Sequence, residues 1–288
     1  MTGQSDTVST LRDPIDIQSI APALTCDPDR IWRAAATRSV DYPDRANAFC
    51  AAIEPASFWF NHRNRMIVEL VRRFPPAGTI ADIGAGNGYV SLGLSQAGYS
   101  TMVIEPGPSG ARTAHARGLA PVVCATIEDA GFKPASLEAA GLFDVLEHIE
   151  DDERFLNGLR GVLTPGARMY LTVPAFTGLW SSEDDLVGHH RRYSIGALRD
   201  RLARSGFTLE YATYFFAPLP LPLFLLRTLP SRLGLRRTLD PDQIAAELKP
   251  ASALGTLMMQ LLRYEVAVVR AGRRLPFGTS CLAAAHVE

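Results

Sequence analysis

Three glycines at alternate positions, Gly84, Gly86 and Gly88, follow the short apolar run Ile80-Ala81-Asp82-Ile83 and precede a helix start at Tyr89. Glycine has no Cβ, so such a turn can take left-handed dihedrals and bring its backbone N–H groups against a bound molecule. A second acid, Glu105, ends the next apolar run, Thr101-Met102-Val103-Ile104. A third group, Leu142-Phe143-Asp144-Val145-Leu146-Glu147-His148, again sets acids and an imidazole at the end of an apolar run. A fourth, Gly188-His189-His190-Arg191-Arg192-Tyr193, pairs adjacent histidines with adjacent arginines. Free imidazole titrates near pH ~6.5, which suits it to take a proton from an acceptor hydroxyl or amine. The competing reading of this last segment is a solvated loop whose arginines cap the helix beginning near Ser194.

The spacing separates two nucleotide cofactors. A dinucleotide fold asks for G-x-G-x-x-G, its third glycine letting the helix pack on the strand. Here the spacing is G-x-G-x-G, with Tyr89 where that third glycine would stand. Asp82 would repel a diphosphate but can pair with an ammonium group, and Glu105 at a strand tip can accept both hydroxyls of a ribose. An acid for an ammonium and an acid for a ribose describe S-adenosylmethionine better than NAD. On these residues the chain resembles the class I S-adenosylmethionine-dependent methyltransferases. Their first two motifs are similar to Asp82–Gly88 and Val103–Pro106, and the Asp-Val-Leu-Glu-His segment resembles the ubiquinone-biosynthesis-like, type 11 branch. A nicotinamide oxidoreductase and a non-catalytic methyltransferase-like binding module are the alternatives.

The resemblance implies a set of roles. The donor S-adenosyl-L-methionine, left as S-adenosyl-L-homocysteine after transfer, would be held by Asp82, Gly84, Ala85, Gly86, Gly88, Tyr89, Glu105 and Pro106. Ile127, with Thr126 or Glu128, would contact the adenine, although acids at a helix start account for Glu128 and Asp129 almost as well. Leu142 and Phe143 would line the methionine arm. His148 would face the methyl acceptor, and the Gly-His-His-Arg-Arg-Tyr segment would sit over it, making His148, His189 and His190 the candidate bases. In Ser57–Arg65 the resemblance implies a lid, with Trp59 and Phe60 shielding the sulfonium by cation–π contact, Arg63 on the cofactor carboxylate and Phe58 in the core. Asp144, Glu147 and His148 with His189 or His190 could also make an oxygen-and-imidazole site for a divalent metal. Proton transfer without a metal is the favoured reading, and no metal ligands are assigned.

The elements that position these groups follow from periodicity. Strands are expected at residues 80–83, 101–104, 121–124, 136–143 and 168–173, with helices at 89–97, 109–117 and 152–163 between them. Alternation at these spacings predicts an α/β, doubly wound, Rossmann-like sheet whose ligands lie beyond the carboxyl ends of the strands. Residues 207–216 and 279–287 complete seven strands, mostly parallel, with the last antiparallel. The expected organisation is a mobile tail (1–27), a helical lid (28–76), the cofactor-binding core (77–216), an apolar and basic helical insertion (217–275) and a final core strand (276–288).

The insertion opens greasily, Phe215 to Leu226, but its prolines and Arg227 argue against a membrane-spanning helix, which needs ~20 apolar residues. Its nine cations, among them Arg236, Arg237 and Lys249, outnumber four acids, Asp240, Asp242, Glu247 and Glu265. Three uses stay open: a cap over a hydrophobic small-molecule substrate, peripheral contact with an anionic membrane, or a homodimer interface. The 288 residues carry a net charge of −1, which gives no reason to expect nucleic acid. Cys26, Cys50, Cys124 and Cys281 form no C-x-x-C pair, and the polar N-terminus shows no leader-like segment, so a reducing, cytoplasmic setting is expected.

Overall fold

The computed structural model describes residues 15–36, 50–235 and 253–288. Part of the expected tail (1–14), part of the expected lid (37–49) and the middle of the insertion, with Arg236, Arg237, Asp240, Asp242, Glu247 and Lys249, lie outside them.

Strands β1 (Thr25–Cys26), β2 (Trp32–Arg33), β3 (Ile80–Ile83), β4 (Thr101–Ile104), β5 (Val122–Cys124), β6 (Leu137–Phe143), β7 (Leu163–Pro174), β8 (Phe207–Phe215) and β9 (Ser280–Val287) form one sheet. Its order is β1-β2-β5-β4-β3-β6-β7-β9-β8. From β2 through β7 the pairing is parallel, and β9 runs antiparallel to both β7 and β8. The expected seven strands are present in the expected orientations. β3 and β4 are buried at every position, as continuous apolar runs covered on both faces should be.

Among the described residues the expected count is corrected from seven to nine by β1 and β2, which extend the sheet beyond β5. The expectation of a mobile tail is corrected for residues 15–27. Helix α1 (Ile17–Ile20) and β1 lie there, and Ile17, Ala21 and Leu24 are buried in the main core. Three isolated apolar residues without period are enough to anchor the segment, because each fills a site on an existing core.

Helices cover both faces. α2 (Phe58–Arg73) presents Met66, Ile67, Leu70 and Val71 to one face, each fully buried. α3 (Tyr89–Gln96) packs beside it through Val90 and Leu94. After α4 (Pro108–Ala116) along β4 and β5, the opposite face receives α5 (Asp152–Val162) through Leu156 and Leu159. α6 (Ser182–Leu186) follows β7, and α7 (Ile195–Arg204) joins α5 through Leu198 and Leu202. β3 has β4 on one side and β6 on the other, so the strand order reverses there. The crevice beyond the carboxyl ends of β3, β4 and β6 is where such sheets bind ligands.

The insertion is helical where described. α8 (Pro220–Leu223) runs through a π turn at Phe224–Thr228 into α9 (Leu229–Arg232), and α10 (Ala253–Arg270) returns along α2. Leu221, Leu225 and Leu229 recur at helical spacing on the exposed side, while Thr228 is buried and donates to the Leu179 carbonyl at 3.0 Å. Among the described residues, no helix is long and apolar enough to cross a membrane.

Helix α2 and the insertion are tied by one buried carboxylate. Glu265 of α10 meets His62 Nε2 of α2 at 2.8 Å and accepts from the Phe216 and Ala217 backbone N–H groups at 2.9 and 2.6 Å. Glu265→Ala should strand all three partners and lower stability by about 3–5 kcal/mol in urea unfolding. A loss under ~1 kcal/mol would show that the tie is ornamental.

Candidate active site

The glycine turn lies between β3 and α3 with Gly84, Gly86 and Gly88 at φ of 69°, 55° and 70°. A Cβ on Gly84 would stand 2.9 Å from the Val145 side chain, and one on Gly88 would stand 2.5 Å from Leu119. The turn therefore needs glycine for both dihedral and space. Glu105, at the end of β4, braces it: its two oxygens accept from the Gly86 and Gly107 N–H groups, each at 2.7 Å. Gly110 in α4 lets this happen, since a Cβ there would stand 2.7 Å from the Gly86 carbonyl.

Behind the turn, Glu54 accepts from Asn87 at 3.3 Å and from Arg117 at 2.6 Å, and Arg117 also donates to the Asn87 carbonyl. Asn61 and Asn64 of α2 reach the same turn, accepting from the Tyr89 hydroxyl and donating to its carbonyl. None of these supports was legible in the sequence, because each joins residues that only the fold brings together.

A cavity of about 1690 Å³ opens over the turn. Of the expected cofactor residues, Trp59, Arg63, Gly84, Ala85, Gly86, Tyr89, Glu105, Pro106, Thr126, Ile127, Glu128 and Phe143 line it, as do His148, His189 and His190. Asp82, Gly88 and Leu142 do not. Asp82 is buried beneath the turn and accepts from the Ser91 hydroxyl at 2.6 Å, so it anchors α3. Gly88 is the residue before that helix, and Leu142 is core. Phe143 reaches the cavity wall because Gly141 leaves room: a Cβ there would stand 2.3 Å from its ring.

Thr126 caps a hydrogen-bonded turn rather than a helix, accepting from the Asp129 N–H at 3.1 Å. Arg63 pairs with Asp144, whose other oxygen accepts from Thr172 at 2.9 Å. Asp144 sits at φ 59°, rare outside glycine. Trp59 stacks on Phe216 with centroids 4.0 Å apart, and Phe58 is core as expected.

The Gly-His-His-Arg-Arg-Tyr segment divides in two. Its second half is structural, although Arg192 also borders the cavity. Arg191 donates to the Ile149 carbonyl and pairs with Asp152, while Tyr193 donates to Asp152 at 2.7 Å. Arg192 clamps Asp184 through Nε at 2.8 Å and a terminal nitrogen at 3.0 Å. Its first half faces the cavity. His189 Nδ1 lies 2.8 Å from Asp184, and its ring meets His148 edge-to-face with centroids 4.8 Å apart. His190 anchors through its backbone N–H on the Glu147 carbonyl at 2.8 Å. The Asp184 carboxylate, which sequence reasoning passed over within an acidic run, is thus central.

Electrostatics follow burial. Desolvation first, and the neighbouring His189 second, push His148 down to about 4, so it is neutral near pH 7. Burial, then the Asp144 charge, push Glu147 well above the usual carboxylate range. Burial works against the Asp184 anion, yet hydrogen bonds from His189 and Arg192 hold its carboxyl below the ordinary value. Asp82 is raised to about 6 by burial.

The cavity wall fits S-adenosylmethionine: a glycine turn that a Cβ on Gly84 or Gly88 would crowd, a buried carboxylate at the tip of the neighbouring strand, and apolar Ile127 and Phe143. Residues 81–171 match the family model described as a methyltransferase domain. Similar structures include the methyltransferase solved with the Trm112 activator of Haloferax volcanii, at TM-score 0.54 and 15% identity over 85% of this chain and 95% of that one. An S-adenosylmethionine-dependent methyltransferase of Thermotoga maritima gives 0.53 and 17% over 84% and 97%. Haemonchus contortus phosphoethanolamine N-methyltransferase 2, solved with S-adenosyl-L-methionine, gives 0.52 and 15% over 86% and 58%. At these identities the likeness is one of fold. No curated protein matches the chain in sequence. Residues 81–171 are a methyltransferase domain by this match, the fold is the one found in S-adenosylmethionine-dependent methyltransferases, and S-adenosylmethionine is the methyl donor that both support.

Gly84→Val forces a β-branched residue to positive φ and into Val145, so calorimetry should find S-adenosylmethionine binding lost while the core strands stay folded. Asp82 makes a pH prediction. Its carboxyl titrates near 3.8 when unfolded and about 6 when folded, so the native state keeps its proton longer. Stability from this group is full below pH ~4 and falls as pH rises through 6, by at most about 3 kcal/mol. Asp82→Asn should therefore gain on wild type between pH 4 and 7 in urea unfolding, and a flat difference would contradict the assigned burial effect.

Proposed function

We propose that the protein transfers the sulfonium methyl to an oxygen, nitrogen or carbon nucleophile of a small, lipophilic acceptor, with a histidine taking the acceptor's proton. The observation that carries this reading is the cavity itself. Its 1690 Å³ exceeds the ~300–1,000 Å³ of a typical single-ligand pocket, and it runs from the glycine turn to the insertion, where Leu223 and Arg227 line it. The space beyond the glycine turn is therefore bordered by a greasy helix that also exposes Leu221, Leu225 and Leu226. Leu223 on that side, with apolar side chains exposed around it, favours an acceptor that partitions out of water, and Arg227 could meet a polar group on it. Rate enhancement comes mainly from aligning the nucleophile behind the methyl carbon with water excluded.

The three histidines are not equivalent in this reading. His148, neutral with a depressed pKa, is a weak proton acceptor. One nitrogen of His189 is tied to Asp184 and the other faces Glu147 at 4.0 Å. His190 is exposed, lines the cavity, and its ring makes no hydrogen bond among the described residues, which leaves it to act as general base. His190→Ala should lower kcat by about 10²–10⁴-fold with S-adenosylmethionine affinity nearly unchanged. Leu223→Asp should raise KM for the acceptor far more than it lowers kcat. Wild-type protein that binds the donor but methylates water-soluble amines faster than any lipophilic acceptor would defeat the proposal.

A further inference from the structure

Glu147 is a buried carboxylate that the methyl-transfer reading leaves without a task. Its side chain is 1% exposed, it reaches the cavity, and its Oε2 has no hydrogen-bond partner among the described residues. A carboxylate oxygen withdrawn from water without a donor is costly, and the cost is relieved by a proton or a positive partner. The nearby guanidinium groups are committed elsewhere, Arg63 to Asp144 and Arg192 to Asp184.

What does face Glu147 is a pair of imidazoles. One ligand atom from each of Glu147, His148 and His189 can be chosen so that all three lie within 4.8 Å of one another. Bonds of ~2.0–2.2 Å to a common ion bring such atoms within ~4 Å, so side-chain shifts of under an ångström or so close the set. His189 is already aimed. Asp184 holds its Nδ1 at 2.8 Å, which places the proton on that nitrogen and leaves Nε2 as the lone-pair donor toward Glu147. Asp184 is itself fixed by the two bonds from Arg192 and by the Ser181 N–H at 2.9 Å. A carboxylate behind the far nitrogen of an imidazole is the support that metal-binding histidines characteristically have.

We propose that Glu147, His148 and His189 form a divalent-cation site, with Asp184 as its positioning residue. One carboxylate and two imidazoles suit Mn²⁺, Co²⁺ or Zn²⁺, whereas Ca²⁺ and Mg²⁺ take mostly oxygen ligands. Three protein ligands on a cavity wall leave coordination positions open to a small molecule, the pattern of catalytic rather than structural metal sites. The ligand class that fits is an acceptor bearing a hydroxyl or carboxylate oxygen, held by the ion near the transferring methyl. That role in turnover rests on the methyl-transfer reading, but binding of the ion does not.

The test uses the full chain, stripped with a chelator and titrated with Co²⁺, followed by visible absorption and calorimetry. S-adenosylmethionine binding is measured separately on the same samples. One Co²⁺ per chain with the bands of a nitrogen-containing shell is expected. Glu147→Gln and His148→Ala should each abolish saturable binding, and Asp184→Asn should weaken it about 10–100-fold, all with S-adenosylmethionine affinity retained as the check on folding. Absence of saturable Co²⁺ binding in the wild type, or binding unchanged in whichever of the two ligand variants folds, overturns the site. Co²⁺ bound without S-adenosylmethionine would overturn the methyl-transfer reading and leave the cation site standing; the reverse result removes the ion alone.

Discussion

The site depends on one carboxylate doing the work of a bracket. Glu105 ends β4, and its two oxygens take backbone N–H groups from the turn after β3 and from the turn after β4 itself. Two adjacent strand ends are thereby held at fixed separation by a side chain that burial keeps in place. The left-handed glycines set the path of the turn, but it is this bracket that holds the path still. The Glu54, Asn87 and Arg117 network does the same from behind. A cofactor meeting this surface meets a backbone already ordered, so little of its binding free energy is lost to arranging the loop.

The fold was legible where burial is two-sided. Ile80–Ile83 and Thr101–Ile104 are covered on both faces, and such strands show as unbroken apolar runs. The first two strands were not legible, because Thr25–Cys26 and Trp32–Arg33 are too short to carry a period and owe their conformation to β5. The helix expected at 152–163 ends at Val162, and β7 starts directly at Leu163 and runs through the breakers Thr164-Pro165-Gly166, with an irregular register against β6.

The site was legible in its glycines, acids and histidines, since these residue types at strand ends are chemically informative. It was not legible in its geometry. Nothing in the sequence distinguishes Asp184 from the acids beside it, yet the fold buries Asp184 against Arg192 and leaves Asp185 on the surface. Asp82 shows the opposite error: the right residue at the right place in the chain, but facing Ser91 beneath the turn instead of the cavity. Side-chain direction at a strand end alternates with a one-residue shift, and composition does not fix it.

Phe216 holds a bulky side chain at φ 59°, where the chain leaves β8 for the insertion. Such a conformation costs about 1–3 kcal/mol and persists only when its surroundings over-determine it. Here they do so from three directions: Glu265 binds its N–H, Trp59 stacks on its ring, and His62 packs edge-on against it. One strained residue thus belongs simultaneously to α2, the insertion and the sheet. Loosening any one of those contacts releases the strain and removes the reason for the other two, so the three stand or fall together.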